Sequence, residues 1–286
     1  MSTPVIRELA GRFVGGDDLA SGLAAVRGLS AKGIKASLNF HGMHVLDPEE
    51  ARRATEQAID ALRKIQAEGL DSHVSVKLTK IGLDLDPGLC RANLRRIIDA
   101  AMATGGFVRI DMEESVYVDQ TIELFEEVQH ICDGKNVGIV IQSYLRHRPD
   151  DLGRLMALGA SIRLVKGGYR EPREVVFRTK AEVDAAFLRD IRLLLNQKGL
   201  HGIATHDEEA IAQAKALQIE FGLDKKDFEF QMLFGVRPDL QEKLVAEGYS
   251  VRCYIPYGGD WATHLAGCLR RIPIDAYARL RRSLVR

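Results

Sequence analysis

The chain has little of several things that would assign it to a class at sight. It carries four cysteines in 286 residues, Cys90, Cys132, Cys253 and Cys268, with no Cys-x-x-Cys spacing. That is no disulfide framework, and it predicts free thiols in a reducing cytoplasm. No run reaches the ~18 apolar residues of a membrane span. The opening MSTPVIRELAGRF has no apolar signal core. Basic and acidic side chains number 40 each and cancel, so nothing suggests electrostatic attraction to nucleic acid. Gly-x-Ser-x-Gly and a Ser-His-Asp order are both missing, which argues against acyl transfer.

What is present is a rhythm. Eight short apolar runs recur: Ile34–Asn39, Val74–Leu78, Phe107–Met112, Val137–Gln142, Ile162–Gly167, Gly202–His206, Phe228–Leu233 and Val251–Tyr257. Most are followed by a helical pattern, as in Asp47–Gln66, Pro87–Met102, Val118–Ile131 and Lys180–Asn196. Buried strands alternating with helices predict a parallel α/β fold, and eight units predict one closed (β/α)8 barrel. With 46% apolar residues a full core is expected. One domain over 1–286 is predicted. Residues 1–33 form an N-terminal helical segment capping the barrel bottom, and 259–286 form a C-terminal helical segment. Gly167–Thr179, charged and holding Pro172, reads as a working loop.

Active sites of such barrels sit at the C-terminal strand ends, and polar residues gather there. They include Lys77, Asp111, Glu113, Gln142, Arg163, Lys166, Thr205, His206, Gln231 and Tyr254. One buried Lys77–Asp111 pair would be unremarkable, but a polar residue at the same end of nearly every strand needs a functional cause. Asp111, Glu113 and His206 could ligate a metal, but with only one histidine at a strand tip no metal is expected. Lys166 could form a Schiff base, as in barrel aldolases. The competing idea is a flat, electron-accepting cofactor, held by Arg163, Lys77 and Lys166 and approached closely by the backbone of Gly167 and Gly168.

The segments VSVKLTKIGLDLDP, FVRIDMEES, VGIVIQSYL, IRLVKGGYREP, ATHD, FEFQMLFGVR and VRCYIPYGGDW follow one another over residues 30–262. In this order they resemble the bacterial proline dehydrogenase family. The resemblance implies an FAD-dependent barrel that oxidises L-proline by hydride transfer to flavin N5 and passes electrons to a quinone. It implies Arg163 beside N5 and Gln142 on the isoalloxazine. Val165, Gly167 and Gly168 would line the cofactor, with Lys180 at the phosphates and Thr205 and His206 at the ribose or adenine end. Lys77, paired with Asp111, would face the substrate, and Tyr169, Leu233 and Tyr254 would wall it.

The pattern breaks in two places. The family's last helix reads W-Y-P-Y-x-x-R-R-L-A-E-R-P, and its arginine pair clamps the substrate carboxylate. Aligned without gaps from Trp261 to Pro273, that pair becomes Gly267-Cys268 and the preceding tyrosine becomes His264. Arg270-Arg271 lies three residues on, which rotates the helix about 300° and lifts the side chains about 4.5 Å. The family's A-S-L-D-x-L-G-E near the first strand reads Ala36-Ser37-Leu38-Asn39-Phe40-His41-Gly42-Met43, so its glutamate is Met43. Losing both partners together avoids stranding a buried charge.

The expectation is therefore a flavoenzyme dehydrogenating a C–N or N–N bond of an amine other than free L-proline, with His264 bonding the substrate or acting as a base. Quinone or O2 would accept the electrons, and an oligomer is left open. Location is cytoplasmic, with peripheral attachment to a membrane left open. Three alternatives stand beside it: authentic L-proline dehydrogenase through Arg270 and Arg271, an aldolase using Lys166, and a flavin-binding protein without turnover.

Overall fold

The computed structural model describes residues 11–42, 44–146, 149–197 and 199–258. Within them eight strands pair in chain order, all parallel, and β1 closes on β8. The strands are β1 (Lys35–Phe40), β2 (Ser72–Val76), β3 (Val108–Ile110), β4 (Val137–Gln142), β5 (Ser161–Val165), β6 (His201–Ala204), β7 (Phe228–Leu233) and β8 (Ser250–Tyr257). Helices α1 (Leu19–Ser30), α2 (Pro48–Ala67), α3 (Pro87–Thr104), α4 (Val118–Ile131), α5 (Pro149–Ala157), α6 (Lys180–Leu195), α7 (Glu208–Glu220) and α8 (Pro238–Ala246) alternate with them. This is the predicted barrel.

The helices begin where the sequence supplies caps. Asp47 accepts the Glu50 N–H ahead of Pro48, with Glu49 and Glu50 set against the helix dipole. Asp86 and Pro87 repeat the device at α3, and Thr179 and Glu182 form a capping box at α6.

Strands β4 and β7 occupy the predicted residues. Other runs shorten at their polar ends: Lys77, Asp111, Lys166, Thr205 and His206 lie past the ladder, where the backbone turns into the βα loops. The N-terminal helix departs from expectation. α1 buries Leu19, Gly22, Leu23 and Val26 against the outer wall where β8 meets β1, not beneath the barrel. A Cβ on Gly22 would press on Leu38 and Tyr257. Tyr257 therefore faces outward, away from the mouth. A regular barrel fills that flank with the helix after β8.

Side chains alternate across the strands. The outward set, such as Leu38, Ile110, Ile139, Leu164 and Phe230, is apolar and packs on the helices. The inward set is polar: Ser37, Ser75, Arg109, Arg163, Glu229, Gln231 and Arg252 are all buried. Barrels of this fold usually fill that space with branched apolar residues. Here the axis holds a hydrogen-bonded network instead.

Candidate active site

Arg163, from β5, stands on the axis and is 5% exposed. Its Nη1 donates to Asp111 Oδ1 at 2.9 Å and to Ser75 Oγ at 3.3 Å, and its Nη2 donates to Ser37 Oγ at 3.3 Å. Its Nε donates to Gln231 Oε1 at 2.5 Å. Three strands and the turn after β3 thus aim one guanidinium. The Tyr254 ring lies 5.3 Å from it, and the Tyr254 hydroxyl donates to Asp111 Oδ2 at 2.7 Å. Burial and then the Asp111 charge raise the Tyr254 pKa well above the usual phenol range, so it stays a neutral donor.

This corrects the predicted Lys77–Asp111 pair. Asp111 has its two oxygens on Arg163 and Tyr254, and Lys77 Nζ reaches Asn39 Oδ1 at 3.4 Å. The compact, mobile ammonium loses the carboxylate to a fork-shaped guanidinium already held nearby. Glu113 takes the Thr79 N–H at 3.0 Å and the Thr79 hydroxyl at 2.5 Å. Burial raises its pKa against those hydrogen bonds.

Gln142, at the end of β4, donates through Nε2 to the carbonyls of Met112 and Glu113, both at 3.0 Å. Its Oε1 is buried and takes no hydrogen bond among the described residues. Beside it the chain at Gly167 turns through φ +104°, and a Cβ there would fall inside the Tyr144 ring. The loop after β5 is anchored on both sides. Tyr144 N–H donates to Lys166 O, Phe177 N–H to Tyr144 O, and Glu171 accepts the Ser115 N–H at 2.7 Å and hydroxyl at 2.6 Å. Burial, then the charges of Glu113 and Asp111, push the Tyr169 phenol up.

Lys166 is not a Schiff-base lysine in this arrangement. Its Nζ binds Asp184 at 2.6 Å and Asp207 at 2.7 Å. Burial lowers its pKa, but those two partners outweigh burial and the net shift is upward. A lysine nucleophile needs the opposite shift. Lys180 is exposed and pairs with the same Asp184. Thr205 is buried and its Oγ1 accepts the Asp207 N–H at 3.0 Å. His206 accepts the Leu233 N–H on Nε2 at 3.0 Å. Burial, then Arg237, lower its pKa to about 4, so it is neutral with its proton on Nδ1. Leu233, 50% exposed, stands at the rim.

The structure thus brings Arg163, Asp111, Tyr254, Lys77, Tyr169, Gln142, Val165 and Gly167 to one end of the barrel. Gly168 follows, with open space where a Cβ would stand. Thr205, His206 and Lys180 line the side toward β6 and α6. Met43, His264, Gly267, Cys268, Arg270 and Arg271 lie outside the described residues. Ser37, Ser75 and Glu229 were missed as site residues. Each is polar at an inward position of an apolar strand, a signal that alternation alone could have found.

The family model of proline dehydrogenase matches residues 23–272, which include every described residue of this site. The chain belongs to the proline dehydrogenase family. It is therefore an oxidoreductase of the proline dehydrogenase type, the class acting on CH–NH groups. Proline dehydrogenase of Deinococcus radiodurans is 38% identical over 271 residues, covering 94% of this chain and 87% of that one. Proline dehydrogenase 2 of Bacillus subtilis is 38% identical over 255 residues, covering 89% and 84%. Among solved structures, proline utilization A (PutA) from Corynebacterium freiburgense superposes with a TM-score of 0.78 at 26% identity, over 98% of this chain. PutA from Bdellovibrio bacteriovorus inactivated by N-propargylglycine gives 0.82 at 24% identity over 88% of this chain, a likeness of fold. Both PutA chains are much longer; this chain spans 33% and 31% of them. Among the described residues no helix is long and apolar enough to cross a membrane, and no cluster of three acids, histidines or cysteines could hold a metal ion.

Proposed function

We propose that this chain is an FAD-dependent dehydrogenase that takes a hydride from the carbon or nitrogen beside an amine nitrogen, on a substrate other than free L-proline. The cofactor reading is carried by the buried Arg163 and by a buried acceptor, Gln142 Oε1, that takes no hydrogen bond among the described residues. A reduced flavin is anionic and needs a cation, and its ring amide needs an acceptor. Bound there, FAD supplies the two-electron acceptor. Arg163 and Gln142 hold the ring system, while Val165, Gly167 and Gly168 offer backbone without bulk. Lys180, Thr205 and His206 hold the phosphate and nucleoside end.

The remaining residues act on the substrate. Tyr254 and Tyr169 form the aromatic wall, Leu233 covers the open edge, and Lys77 carries a charge toward the mouth. Asp111 keeps Arg163 and Tyr254 in place. The electrons then go to a quinone or to O2; with a quinone, the protein works at a membrane surface.

The substrate reading is carried by sequence at three positions. Met43 stands where the family has a glutamate, and Gly267-Cys268 where it has an arginine pair. A carboxylate entering such a site loses its charge-assisted partners and stays costly to bury. Cyclic or secondary amines, hydrazines or a masked prolyl group, with His264 as a new polar contact, fit better. Anaerobic titration of the flavin with L-proline, its methyl ester and pyrrolidine tests this: the neutral amines are expected to bleach it and L-proline to fail.

A second reading is authentic L-proline dehydrogenase acting through Arg270 and Arg271. It is favoured by relatives at 36–38% identity that all carry that name, and by a family match that extends past both arginines. L-proline oxidation abolished by Arg270→Met would select it.

A further inference from the structure

Arg163 rests on a chain of buried groups that the proposed chemistry does not use. Gln231 Oε1 accepts from Arg163, and Gln231 Nε2 donates to Glu229 Oε1 at 2.6 Å. Glu229 Oε1 also accepts from Arg252 Nε at 2.7 Å. Arg252 is held in turn by Ala36 O at 2.7 Å and Asp71 Oδ1 at 3.2 Å. The two ends of a glutamine amide have nearly the same shape, so neighbours decide which end faces which way. Arg163 requires the oxygen upward. A carboxylate, which only accepts, requires the NH2 downward. Glu229 therefore fixes the amide.

Two further observations agree. A Cβ on Gly202 would overlap the Gln231 amide, so β6 leaves the room that this orientation occupies. Glu229 and Arg252 are 1% and 2% exposed, deep in a space that branched apolar residues ordinarily fill. A buried ion pair is a weak source of stability compared with such packing. Its place directly under Gln231 gives it another use.

We propose that Glu229 is a positioning residue: by orienting Gln231 it holds the Arg163 guanidinium in a single orientation, and so sets flavin affinity and reduction potential. This rests on the proposed flavin site. The test is the paired variant Glu229→Met with Arg252→Met, which removes both charges together. The net charge is unchanged, so a change of overall charge cannot account for a shift in potential. With FAD as the probe, the dissociation constant is expected to rise at least tenfold by flavin fluorescence. The reduced flavin should lose about tenfold in stability relative to the oxidised one, a fall of about 30 mV for two electrons. A folded variant with unchanged affinity and potential would overturn the proposal while leaving the flavin site standing. Wild-type protein that takes up no FAD would overturn both. If the paired variant does not fold, Gln231→Met cuts the same link from above, and the same two readings decide.

Discussion

Tyr254 and Arg163 share one carboxylate: the hydroxyl meets Asp111 Oδ2 at 2.7 Å and the guanidinium meets Oδ1 at 2.9 Å. The aspartate thus couples a residue of the substrate wall to the cation assigned to the flavin. A change on either side should be felt on the other.

Asp111→Ala leaves Arg163 buried without its carboxylate. Breaking a buried pair from one side costs about 3–5 kcal/mol. Urea unfolding should show a loss of that size. Tyr254→Phe removes one hydrogen bond to the same carboxylate and should cost only about 1–2 kcal/mol. The double variant should cost less than the sum, since the two changes share Asp111. Strict additivity would mean that the carboxylate does not link them.

Gly167→Ala puts a methyl group inside the Tyr144 ring at φ +104°. The strain alone is of order 1–3 kcal/mol. The loop over residues 166–179 should loosen, seen as faster amide exchange there and a lower Tm. Tyr144→Ala in the same chain should restore part of the loss by making room; no recovery would place the cost in the backbone alone.

Lys166, raised in pKa and held by Asp184 and Asp207, should stay inert as a nucleophile. Incubation with small aldehydes and ketones and borohydride should leave a tryptic peptide bearing Lys166 at its unmodified mass. A stable adduct at that residue would revive the aldolase chemistry.

Three histidines are harder to protonate when folded: desolvation lowers His73 well below its usual range and takes His201 and His206 to about 4. For each, the unfolded chain binds the proton more readily. The stability they contribute is complete above about pH 6.5 and is lost as pH falls toward about 4. His44 and Glu113, both raised, act in the opposite direction but are fewer. The urea midpoint should therefore fall between pH 7 and pH 5. A midpoint that rises would mean that the raised pair dominates.

Much of the fold was legible because each strand is a short apolar run and several helices announce their start with a cap, as at Asp47, Asp86 and Thr179. Strand ends were less so. Lys77, Asp111 and His206 continue the period of their strands, yet they leave the ladder because the loops draw the backbone away. The place of α1 was not legible, since its apolar face fits either the floor or the flank. Arg163 could be picked out as a cation in an apolar strand. Its partner could not: choosing Asp111 for Arg163 over Lys77 depends on distances across the barrel that no local pattern contains. Glu229 stands out by alternation as a polar inward residue, but its link to Arg163 through Gln231 is not contained in any local pattern.

The most direct measurement is the visible spectrum of the purified protein before and after anaerobic L-proline. A visible flavin band is expected that L-proline leaves in place and that an uncharged cyclic amine bleaches. Rapid bleaching by L-proline would contradict it, and would assign the carboxylate to Arg270 and Arg271.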